Sequence, residues 1–164
     1  MDSEFPMLEY LCIGTTIGNH SGLILPKTFQ APHLCRLITI GVVRTVRSPI
    51  LTTAAGLIML SLVHIPRSAY FSPNDLILCI SLLPQLEALF ILFLSHPPKN
   101  EIGTRILQTS ILTSIILANL RLFAFKGASA YLEELLPRIT TPLLEKYQVR
   151  FFCQSDVSIT FNTS

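Results

Sequence analysis

A chain of 164 residues, 50% of them hydrophobic and only 13% charged, has room for one domain. Soluble domains carry roughly 25% charged residues, and small ones need them because their surface is large for their volume, so the shortage favours a membrane protein. The net charge of +2 and the isoelectric point near 8.4 fall short of the dense cationic patch that nucleic-acid binding requires.

The first residues carry Asp2, Glu4 and Glu9, with no Lys or Arg before Lys27, which fits neither a secretory signal nor a mitochondrial presequence. Residues 7–25 form a hydrophobic segment diluted by Glu9, Asn19, His20 and three glycines. Residues 26–48 carry Lys27, Arg36, Arg44 and Arg47 without an acid. Their apolar positions (Phe29, Leu34, Leu37, Ile40, Val43) recur every three or four residues. That pattern predicts an amphipathic helix lying on a headgroup surface, on the cytoplasmic side by the positive-inside rule.

Residues 49–65 have no charge, and Ser48-Pro49 resembles a helix start; at 17 residues the stretch just reaches the length that spans about 30 Å of hydrocarbon. A second span is expected over 76–95, capped by Asn74 and Asp75, kinked at Pro84 and stopped by His96-Pro97-Pro98. A third is expected over 106–125, where Gln108, Thr109, Ser110, Thr113, Ser114 and Asn119 suit hydrogen bonding to a neighbouring helix. Arg121 and Lys126 at its far end conflict with the orientation set by the earlier loops. Residues 127–164 read as a polar tail that opens on the amphipathic ASAYLEELL and frays at its end. No internal repeat stands out. The expected fold is therefore all-α: a small multi-pass bundle of three or four spans over 1–126, with a C-terminal tail.

Glu87 is the sharpest candidate for chemistry. A carboxylate within a span costs on the order of 2.5 kcal/mol or more, so it faces a cavity as a general acid or proton carrier, or bonds to hydroxyls inside the bundle. His64 and His96 close the first two clear spans and fall on opposite sides of the bilayer, where each suits a helix-end role more than catalysis. His20 and His33 carry less. Cys12, Cys35, Cys79 and Cys153 form no C-x-x-C pair, and Cys12 and Cys79 sit in apolar runs as small hydrophobes. The sequons at Asn19 and Asn162 lie too near a candidate span and too near the last residue to be used. No metal-binding, P-loop, dinucleotide-binding or nucleophile-elbow motif is present.

The stretch LILPKTFQAPHLCRLITIGVVRTVRSPILTTAAGLIMLSLVH resembles the N-terminal region of fungal wax-synthase-like membrane-bound acyltransferases, over about a third of the chain. The resemblance implies acyl-CoA and a lipophilic alcohol as substrates. The catalytic histidine of those enzymes has no counterpart here, and no catalytic residue carries over.

The expected function is that of a small integral membrane protein, an accessory or scaffold subunit of a lipid or lipophilic-metabolite pathway. Its partners would be the bilayer and other membrane proteins, not nucleic acid. The alternative is an acyltransferase-like membrane enzyme with Glu87 as its acid. A transporter, or a soluble bundle of buried helices, accounts for less of the pattern.

Overall fold

The computed structural model describes residues 5–15, 29–42, 46, 48–96 and 114–152. Six times among them a tight turn leads into a leucine frame, its first leucine buried in four cases and half-buried at Leu8 and Leu144. The turns are FPML, APHL, AAGL, LPQL, LANL and TPLL, and each closes with the N–H of its leucine donating to the carbonyl three residues back, at 3.0–3.3 Å. Proline stands second in four of the six, where its fixed φ suits such a turn.

The turn leucines are Leu8, Leu34, Leu57, Leu86, Leu120 and Leu144. Each opens the spacing L-x-x-L-x-L or a near variant: Leu34-x-x-Leu37-x-Thr39, Leu57-x-x-Leu60-x-Leu62, Leu86-x-x-Leu89-x-Ile91, Leu120-x-x-Phe123-x-Phe125. These positions follow the opening spacing of a leucine-rich repeat. The Asn or Cys that such a repeat carries eight residues after its first leucine is absent, with Val42, Ile65, Leu94, Ala128 and Phe152 in that place. The frame recurs at intervals of 26, 23, 29, 34 and 24 residues.

A β-strand follows each turn: β1 (Tyr10–Gly14), β2 (Arg36–Ile40), β3 (Met59–Ile65), β4 (Ala88–Phe93), β6 (Leu122–Gly127) and β8 (Lys146–Phe151). They pair in that order and all in parallel. The two-residue strands β5 (Ile115–Ile116) and β7 (Ile139–Thr140) pair separately, just upstream of the last two turns. Because sheet order follows chain order without reversal, the described strands stack as in a solenoid, each on its neighbours in sequence.

Among the described residues three short α-helices lie between strands: α1 (Pro49–Thr53), α2 (Pro73–Ile80) and α3 (Ser129–Leu135). Two have local starts. Ser48 caps α1 with Pro49 in its first turn, and Ser72 caps α2 in a reciprocal box with Asp75. Ile50, Leu51, Leu76, Ile77, Ile80, Leu132 and Leu135 from the helices join Leu37, Leu60, Leu62, Leu89, Ile91, Phe123 and Phe125 from the strands in one core. At its C-terminal half, Phe93 and Tyr131 stand 5.2 Å apart and are ringed by Tyr70, Phe71 and Phe125.

This architecture corrects the all-α multi-pass expectation. A helix of 8 residues, the length of α2, is about 12 Å long, against the roughly 30 Å of a bilayer core. No helix among the described residues is long and apolar enough to cross a membrane. The multi-pass bundle of membrane-spanning helices expected over 1–126 is therefore not what the described residues form.

Residues 49–65 hold α1, a turn and β3, so the Ser48-Pro49 helix start is real but the helix ends at Thr53. Residues 76–95 hold the end of α2, the Pro84 turn and β4. Pro84 is a turn residue, not a kink, and Ser72 supplies the cap expected from Asn74 or Asp75. Of 106–125, residues 114–125 form β5, a turn and most of β6; of 7–25, residues 7–15 form a turn and β1. The remaining parts of both lie outside the described residues. The basic amphipathic helix expected over 26–48 is instead, where described, centred on the turn at Pro32 and strand β2. Residues 127–152, assigned to the tail, supply α3 and the last strand of the sheet.

Candidate docking surface

Alternation along the strands sends one row of side chains into the core and the next to the opposite face. All three helices pack their buried apolar residues on the core side, while Leu78 of α2 faces outward. The register fixes the open face as three rows across β2, β3, β4, β6 and β8. The first is Arg36, Met59, Ala88, Leu122, Lys146; the second Ile38, Ser61, Phe90, Ala124, Gln148; the third Ile40, Val63, Leu92, Lys126, Arg150.

Tyr10, Cys12 and Gly14 extend these rows on β1. The middle is apolar: Ile38, Ile40, Val63, Phe90 and Leu92 are half-buried against one another, and small Ser61 and Ala124 sit below them, 8% and 6% exposed. Arg36, Lys126, Lys146 and Arg150 border it. No acid stands at any position of these rows.

The acids lie elsewhere. Glu9, Glu87 and Glu145 each stand one residue before a strand, in a ladder in which the Glu87 N–H donates to the Ile58 carbonyl at 2.8 Å. The Arg121 N–H in turn donates to the Glu87 carbonyl at 2.8 Å. The Arg121 guanidinium donates to the Glu145 carboxylate as an ion pair.

Glu87 is therefore an exposed residue at the mouth of β4, not an acid held within a span. The burial within a span on which its candidacy rested is absent. His64 ends at the same edge of the sheet as His96, because β3 and β4 are parallel neighbours. His64 is exposed at a bulge with φ +53°, and the His96 ring lies 4.7 Å from Phe152. Among the described residues no three His, Cys, Asp or Glu side chains gather as metal ligands.

Cys79 is buried in α2, and desolvation pushes its thiol up to about 12. Cys12, expected as a buried hydrophobe, is exposed on the open face. Of the polar residues assigned to helix association, Gln108, Thr109, Ser110 and Thr113 lie outside the described residues, and Ser114 is exposed. Asn119 bonds within the chain, its Nδ2 donating to the Pro84 carbonyl at 3.0 Å across adjacent repeat turns. Asn19, His20, Cys153 and Asn162 also lie outside the described residues.

Sequence reasoning missed the face residues Ile40, Val63, Phe90 and Leu92 because it placed them in spans or a surface helix. The repeated x-P-x-L-x-x-L frame was the signal that locates them: the second, fourth and sixth residues after each turn leucine point outward. Comparison of the chain with protein-family models, with curated proteins and with solved structures yields no match.

Proposed function

We propose that the chain is a docking module, a scaffold or accessory subunit that holds a partner protein on the open face of its solenoid sheet. The observation that carries this reading is the apolar centre of Ile38, Ile40, Val63, Phe90 and Leu92, uncovered by any described helix. Parallel strands are ordinarily buried on both faces and are apolar on both. The strand ALFILF has no polar residue, so it is built for cover on either side.

Sheet topology supports a surface over a catalytic crevice. Doubly wound sheets bind small ligands where the strand order reverses, and this order never reverses. Solenoids instead present extended faces to macromolecules.

The test is photo-crosslinking in the source cell, with benzoyl-phenylalanine introduced at Phe90 or, as control, at Leu78 on the exposed side of α2. A discrete adduct from position 90, lost on Leu92→Asp and not given by position 78, is expected. Equal adducts from both positions, or none from position 90, would remove the docking reading.

A further inference from the structure

At the C-terminal edge of the sheet one register row runs Ile40, Val63, Leu92, Lys126, Arg150. Three apolar side chains are followed by two cations, one per strand, at a spacing of about 4.8 Å. Among the described residues no carboxylate pairs with Lys126, Lys146, Arg150 or Arg36, whereas Arg121, just off the face, has Glu145. The six described acids all lie off the rows: Glu9, Glu87 and Glu145 before strands, Asp75 in α2, and Glu133 and Glu134 in α3. A surface that leaves its cations unpaired beside an apolar strip is complementary to carboxylates beside apolar side chains.

Building on the docking reading, we infer that the occupant is an acidic amphipathic segment of a partner protein. Its apolar residues lie over β2, β3 and β4 and its carboxylates over β6 and β8. A helix laid along the row fits the spacing, since its pitch of about 5.4 Å brings one side chain per turn close to one strand. An extended segment crossing the strands repeats its same-side residues every ~6.6 Å and falls out of step sooner.

Two other anionic macromolecules fit less well. A nucleic acid would set phosphates and sugars against Ile40, Val63 and Leu92 along most of the row. A lipid surface calls for protruding apolar groups, and these three are half-buried between their neighbours.

The experiment is fluorescence anisotropy of the full chain with a labelled 18-residue synthetic peptide. Its leucines, at helical spacing, fill one half, and glutamates at the same spacing fill the other. A comparator peptide carries lysines in place of the glutamates. The glutamate peptide is expected to bind at least tenfold more tightly, and to weaken as salt rises. The double variant Lys126→Glu/Arg150→Glu is expected to reverse that preference, and Phe90→Asp to abolish binding of either peptide. Thermal melts confirm that the variants fold.

Binding that depends on Phe90 but shows no charge preference would overturn the acidic segment while leaving a docking face. Binding of neither peptide would also overturn it, and the crosslink from position 90 then decides the docking reading independently. Tighter binding to phosphatidylserine vesicles than to the glutamate peptide would overturn it in favour of a membrane surface.

Discussion

Cys79 lies buried in α2 on the core side of the sheet, while Cys12 is exposed on the open face. Below pH 9 the buried Cys79 thiol is protonated whether the chain is folded or not, so it contributes no pH dependence. Above that, the unfolded chain loses the proton while the folded one holds it up to about 12, and stability falls as pH rises. The slope is about 1.4 kcal/mol per pH unit. Denaturant titrations at pH 8 and pH 10 should therefore show a larger loss for the parent chain than for Cys79→Ala. An equal loss would mean that Cys79 is not desolvated. Gly127 is held by close approach: a Cβ there would lie 2.6 Å from Phe125 Cζ and 3.1 Å from Phe93 Cδ2. Gly127→Ala must push against the aromatic cluster, and a loss of about 1–3 kcal/mol is expected in the same titration.

At the scale of the element, the start of α1 was legible, that of α2 was misplaced by two or three residues, and the strands were not legible. Ser48-Pro49 opens α1 because a cap is a local signal, and the amphipathic ASAYLEELL, read as the start of a tail, holds α3. Strands β3 and β4 carry apolar residues on both faces, so the alternation that betrays a half-buried strand is missing and they imitate a hydrophobic helix. Pro84 was ambiguous for the same reason: a kink and the second place of a turn both call for proline. α2 rests on its capping box, in which Ser72 Oγ accepts from the Asp75 N–H at 3.2 Å and Asp75 Oδ2 accepts from the Ser72 N–H at 3.2 Å. Ser72→Ala should cost about 1 kcal/mol. An unchanged midpoint in urea would show that packing alone sets the helix.

For the whole molecule, the shortage of charge had a different cause from the one it suggests. A sheet packed by helices on one face, with an apolar strip left on the other, spends its hydrophobic residues on two surfaces while only one is its core. The repeat is masked in the sequence because its intervals run from 23 to 34 residues and aromatic residues replace leucine at Phe123 and Phe125. The open apolar face, in turn, is a property of register across strands, which no single segment displays. Glu87 drew attention as an acid in an apolar run and proves to be a ladder residue at the sheet's edge.

Adjacent residues of β4 test the two-faced sheet most directly. Leu89 is fully buried in the core and Phe90 lies on the open face. Thermal unfolding followed by far-UV circular dichroism should show no cooperative transition for Leu89→Asp. For Phe90→Asp it should show a transition within a few degrees of the parent chain. Comparable loss in both variants would contradict a sheet with one open face, and a greater loss in Phe90→Asp would contradict the register itself.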